Sequence, residues 1–150
     1  MFDAVKTFLN IFMINIYTDG GSRGNPGPSA IGVFIKNQQG DILYKLGKSI
    51  GLSTNNIAEY KAAISAFSWA IANKELLKKE RGINFYTDSL LMYSQVIGAY
   101  KVKNEILKEL LSVLKKQEKG LGIPINYFHI RRELNKEADK LVNLALDNQT

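Results

Sequence analysis

Hydrophobic and polar positions change period along this chain, and each change marks an element. Residues 13–18, MINIYT, are a short run of apolar and aromatic side chains with strand character. GGSRGNPGPS follows at 20–29, dense enough in glycine and proline to predict a loop. AIGVFIK and DILYKLGKSI flank NQQG and predict a hairpin. Over 53–73 the period becomes helical, with Ile57, Tyr60, Ile64, Phe67 and Ile71 on one face. INFYT at 83–87 returns to strand, and residues 89–98 predict a short helix. Residues 103–118 predict a charged amphipathic helix with Ile106, Leu110, Val113 and Leu114 inward. IPINYFHI is a last strand. A closing helix over 135–147 has Asn135 as its expected N-cap and Ala138, Leu141, Val142 and Ala145 on its packed face. The order β-β-β-α-β-α-α-β-α predicts an α/β domain over 13–148: a mixed sheet whose first three strands are antiparallel, with helices packed against it.

The first twelve residues stand outside this pattern. Phe2, Val5, Leu9 and Phe12 have helix-like spacing, so 1–12 reads as an appendage, a short amphipathic helix. Asp3, Lys6 and the lack of a small-residue cleavage pattern make it a poor signal peptide. An alternative role for it is a tether to a partner or membrane. No apolar run in the chain reaches the ~18 residues that span a bilayer.

Composition narrows the chemistry. There is no cysteine among 150 residues, which excludes disulfides, thiolate metal sites and a cysteine nucleophile. That absence fits a reducing compartment, and a cytoplasmic location is expected. With one histidine, a histidine-rich zinc site is excluded, so any metal site must be built from carboxylates, which suit Mg²⁺ or Mn²⁺. Lys plus Arg outnumber Asp plus Glu by 20 to 14, a formal charge of +6. A basic surface attracts polyanions, although charge alone names no partner.

An internal echo locates the carboxylates. INIYTD at 14–19 is repeated as INFYTD at 83–88. If the two strands lie side by side in parallel, Asp19 and Asp88 emerge together. Carboxylates so placed repel one another, and a divalent cation relieves the conflict. Either aspartate alone reads equally well as a turn former. Glu59 has capping-box spacing from Asn56, so a helix cap is its simplest reading. Asp139 reads first as a solvated helix residue beside Lys136.

Four blocks change that balance: YTDGGSRGNPGPSAIG, STNNIAEYKAAISA, FYTDS and REL-NKEAD. Together they resemble the type 1 ribonuclease H family over about 13–148. The resemblance implies a five-stranded mixed sheet with helices on both faces. It implies that Asp19, Glu59, Asp88 and Asp139 hold two divalent cations, Mg²⁺ or Mn²⁺. It further implies an endonuclease that hydrolyses the RNA strand of an RNA/DNA hybrid and leaves 5′-phosphate and 3′-hydroxyl ends. Substrate contacts then fall on Gly20 and Asn25 in the glycine-rich loop, on Asn55 and Asn56 near the cut, and on Ser89. Thr54 and Asn104 match a pocket for a DNA-strand phosphate. A monomer is expected.

The chain departs from the family's common pattern in two places. A mobile loop with a catalytic histidine is absent, and the only histidine, His129, falls on the last strand beside Phe128, where a packed role is the simpler reading. Arg131, Arg132 and Glu133 are nearby candidates to act in its stead. The basic protrusion of some members is also missing, which leaves the groove and lysines such as Lys101 and Lys103 to attract the substrate. Leu90 stands where a glutamine often follows the Asp-Ser pair. Two rival readings follow: a broader duplex ribonuclease that also cuts double-stranded RNA, and a catalytically idle nucleic-acid-binding module on the same fold.

Overall fold

The computed structural model describes residues 12–148, so the appendage over 1–12 lies outside the described residues apart from Phe12. The chain runs β1 (Met13–Ser22), β2 (Gly27–Asn37), β3 (Ile42–Ser53), α1 (Asn55–Ala72), α2 (Lys74–Leu77), β4 (Gly82–Thr87), α3 (Leu90–Val96), α4 (Glu105–Leu121), β5 (Ile125–His129), a 3-10 turn (Arg132–Leu134) and α5 (Lys136–Asp147). The five strands form one sheet in the order β3-β2-β1-β4-β5. β1, β2 and β3 pair antiparallel, whereas β4 pairs parallel to β1 and β5 parallel to β4. The expected mixed sheet is therefore present.

Alternation along the central strands sends side chains to two different environments. Ile14 and Ile16 of β1, Val33 and Ile35 of β2, and Ile83 and Phe85 of β4 enter the main core beneath α1 and α4. The residues between them face the other side. There Asn15, Asn84 and Asn126 line up across three strands, linked by side-chain amides at 3.2–3.3 Å. One step further along, the rings of Tyr17, Tyr86 and Phe128 stack at 4.7 and 5.2 Å between centroids. Asp19 and Asp88 follow in the same alternation.

α5 covers part of this second face, where Ala30, Val142 and Leu146 form a small separate core. Two strand glycines let it approach. A Cβ on Gly32 would lie 2.2 Å from the Ala138 carbonyl oxygen, and one on Gly47 would lie 2.6 Å from that of Leu141. Side chains at either position would push away the helix that carries Asp139.

Several local expectations change. The GGSRGNPGPS segment is mostly strand: β1 continues to Ser22 and β2 resumes at Gly27, so the loop shrinks to a tight turn. Antiparallel pairing from Asp19↔Gly32 through Ser22↔Ser29 outweighs the poor strand propensity of glycine. On α4 the buried positions are Leu107, Leu114 and Leu121, while Ile106 and Val113 are 54% and 40% exposed. The inward stripe is thus rotated from the one the sequence predicts, because the helix packs on α1 through leucines spaced by seven. On α1 the inner face is made of small residues, among them Ala63, Ala66 and Ala70, around Tyr60 and Phe67, and Ile71 is exposed. The short α2 and the 3-10 turn had no periodicity long enough to announce them. Among the described residues, no helix is long and apolar enough to cross a membrane.

Candidate active site

The parallel register of β1 and β4 builds the floor. Thr18 pairs with Thr87, so Asp19 and Asp88 leave the two strands side by side. Glu59 comes from the first turns of α1, on the opposite layer. It reaches the strand end because residue 20 is glycine: a Cβ there would sit 2.3 Å from the Ala58 carbonyl carbon and 2.4 Å from the Glu59 nitrogen. The Gly20 N–H donates to Glu59 Oε1 at 3.1 Å, which fixes one oxygen and leaves the buried Oε2 without a protein partner. Asp19, Glu59 and Asp88 each offer an oxygen within 4.8 Å of the others.

These carboxylates disturb one another. Burial, and then the charge of Asp88, push the Asp19 carboxyl up to about 7 from its ordinary 3.8. A hydrogen bond shared with Glu59 offsets part of that rise. Glu59 is raised well above its ordinary value by burial first and by the Asp19 charge second. The orphaned Oε2 and the convergence of three carboxylates are what a hard divalent cation requires of oxygen ligands.

A cleft of about 370 Å³ opens above them. Gly20, Asn55, Asn56, Ser89 and Asp139 line it, together with Arg132. Asp139, exposed on the first turn of α5, stands at the rim rather than within the tight trio, yet close enough for its charge to raise Asp19 further. Of the three residues considered in place of a loop histidine, Arg132 lines the cleft and Arg131 and Glu133 do not.

The polar residues of the rim are clasped to the backbone. Asn55 N–H donates to Asn25 Oδ1 at 2.9 Å, and Ser22 N–H donates to Asn55 Oδ1 at 2.9 Å. With both oxygens engaged on the protein, both side chains keep amide N–H groups to offer. The helix cap expected of Asn56 is made by Thr54 instead, whose Oγ1 accepts from the Ile57 N–H at 3.3 Å. Glu59 is thereby freed from a capping role. Asn104 caps α4 through Leu107 N–H at 3.0 Å, and Ser89 caps α3 through Met92 N–H at 3.1 Å. Thr54, Asn104 and Asn25 lie outside the cleft lining.

His129 ends β5, as expected, but it is exposed rather than packed. Its Nε2 lies 3.3 Å from the Asp88 carbonyl oxygen and its ring 5.9 Å from that of Tyr93. Sequence reasoning missed Asn135 as a site residue. It precedes α5 but makes no side-chain cap, and instead donates to Thr18 O and Asp88 Oδ2. Its signals in the sequence were its place in the REL-NKEAD block and its position four residues before Asp139.

The model of the RNase H family matches residues 13–147. The chain belongs to the ribonuclease H family. Ribonuclease HI of Halobacterium salinarum is 35% identical over 136 residues, which span 90% of this chain and 65% of that protein. The bifunctional protein Rv2228c of Mycobacterium tuberculosis is also 35% identical, over 88% of this chain and 35% of its own length. The chain thus spans less than two thirds of the length of both curated relatives. Among solved structures, LC11-RNase H1, isolated from compost, superposes with a TM-score of 0.82 at 41% identity, covering 91% of this chain and 96% of that one. LC11-RNase H1 has also been solved in complex with an RNA/DNA hybrid, and that structure matches with the same TM-score at 40% identity, over 89% and 96% of the two chains.

Proposed function

We propose that this chain hydrolyses the RNA strand of RNA/DNA hybrids by in-line attack of water on a phosphodiester, leaving 5′-phosphate and 3′-hydroxyl ends. The observation that carries the reading is the trio Asp19, Glu59 and Asp88 at the floor of an open polar cleft, with Asp139 at its rim. These four carboxylates would hold two divalent cations, Mg²⁺ or Mn²⁺. The chemistry such ions supply in a carboxylate site is activation of water and neutralisation of charge on the departing 3′ oxygen.

The chain's own groups bind and orient the strand. Gly20 and its neighbours bring backbone close to the cleft, and the Asn25 and Asn55 amides have only N–H groups left to present. Donors of that kind suit minor-groove acceptors and the 2′-hydroxyls that separate RNA from DNA. Asn56 and Ser89 line the same cleft, and Arg132 supplies a positive charge beside the phosphate path. The N-terminal turns capped by Thr54 and Asn104 suit a phosphate of the DNA strand, since helix N-termini favour anions. That LC11-RNase H1 was solved in complex with an RNA/DNA hybrid supports a hybrid as the substrate class. An idle binding module is disfavoured, because converging acidic groups oppose a polyanion unless cations neutralise them.

The test is cleavage of one labelled RNA strand presented alone, paired with DNA, paired with RNA, or as a single ribonucleotide within DNA. Each is run with Mg²⁺, Mn²⁺ or chelator, beside Asp19→Asn. Metal-dependent cutting that favours the hybrid is expected, and cutting of the RNA duplex sets the breadth of specificity. Hybrid binding by folded protein without any cutting would replace the enzyme with the binding module.

A further inference from the structure

Asn135 is 1% exposed, between the 3-10 turn and α5. Its Nδ2 donates to the Thr18 carbonyl oxygen at 2.9 Å and to Asp88 Oδ2 at 3.2 Å. Its own carbonyl oxygen accepts from the Asp139 N–H at 3.1 Å. One residue is therefore bonded to the strand end that carries Asp19, to the Asp88 carboxylate and to the turn that carries Asp139. The amide orientation is forced. Turning it over would set Oδ1 against two acceptors, a carbonyl and a carboxylate. An amide has two N–H groups and both are used, so the Asp88 side chain is held by a donor that cannot turn elsewhere.

We propose that Asn135 is the positioning residue of the carboxylate cluster. It fixes the Asp88 rotamer by occupying Oδ2, which leaves the other oxygen for a cation, and it ties that carboxylate to the strand end that carries Asp19. This rests on reading the cluster as a metal site. The rival is a purely structural role, with Asn135 only buttressing α5. Outer partners of ligating carboxylates tune metal affinity, whereas a buttress changes stability alone.

The experiment titrates Mn²⁺ by calorimetry into the full chain, into Asn135→Ala and into Asn135→Ser, with kcat and KM measured on a hybrid and folding followed by circular dichroism. The expected result is Mn²⁺ affinity weaker by about 10–100-fold in the alanine variant, with kcat lowered and KM little changed. Serine, which restores one donor, should fall between. A folded Asn135→Ala with wild-type Mn²⁺ affinity and kcat overturns the proposal. If neither variant folds, the Asn135 side-chain NH₂ signals of the ¹⁵N-labelled wild-type chain decide. They should shift and saturate on addition of Mg²⁺; signals that stay in place overturn the assignment. Wild-type protein that binds Mn²⁺ but cuts no hybrid would remove the nuclease reading and leave the metal titration to judge Asn135.

Discussion

Asp19 stands beside Asp88 because Thr18 and Thr87 are partners in the parallel ladder between β1 and β4. Each strand contributes one carboxylate to a floor that α1 completes with Glu59. Asp19→Asn or Asp88→Asn keeps the shape and deletes one ligand charge. Each should abolish metal-dependent cleavage with the fold intact by circular dichroism. Near-normal rates in either would sink the metal assignment.

The same substitution should stabilise the protein when no metal is present. Burial and repulsion among the carboxylates oppose folding, and Asp19→Asn removes one of the repelling charges. In chelator its Tm should exceed that of wild type by about 2–4 °C for each ~1 kcal/mol relieved in a domain of this size. With saturating Mg²⁺ the order should reverse, because only wild type gains the ion's binding energy. Calorimetric melting in the two buffers reads both signs.

Stability of the metal-free chain should depend on pH in a defined sense. The Asp19 carboxyl has a folded pKa of about 7 against an ordinary 3.8, so the folded state holds its proton more tightly. The associated stability is fully present below about 3.8 and is lost as pH rises through about 7. Glu59, raised in the same direction, adds to that loss. Urea midpoints in chelator should therefore fall between pH about 4 and about 7, and more steeply than in Asp19→Asn. A flat profile would contradict the carboxylate coupling.

Glycines of the chain should divide by what lies over them. Gly32→Ala puts a methyl against the Ala138 carbonyl and should cost about 1–3 kcal/mol while displacing Asp139. Gly120→Ala, inside α4 with open space around it, should stabilise by up to about 1 kcal/mol. Denaturant unfolding of the two variants separates the effects, and a lowered kcat is expected only for Gly32→Ala.

Arg132 should matter more than His129. Arg132 lines the cleft, whereas His129 is directed at the Asp88 backbone. Arg132→Ala should lower kcat/KM by the larger factor, and His129→Ala only modestly. The reverse ranking would place a proton-transfer role on the strand histidine.

Much of the site was legible before any fold was known, since the repeated INFYTD-like hexapeptide marked two strand ends and the four blocks marked all four carboxylates. The cap of α1 was misread. Asn56 and Thr54 are both good capping residues in sequence, and only the backbone angles at Thr54 make it the cap. Asn135 looked like an N-cap for the same reason, and its partners on β1 and after β4 are 117 and 47 residues away.

Local periodicity and residue chemistry account for the long helices, the core strands, the strand echo and the identity of the acidic groups, but not for α2, the 3-10 turn or the strand ends at 20–22 and 27–29. Tertiary structure alone decided which atoms meet: the parallel register that joins Asp19 to Asp88, the close approach of α1 over Gly20, the seat of α5 on Gly32, and the amide bonds of Asn135. The physical reason is that a buried hydrogen bond or a backbone contact depends on the positions of groups distant in sequence, and no periodicity along the chain encodes that distance.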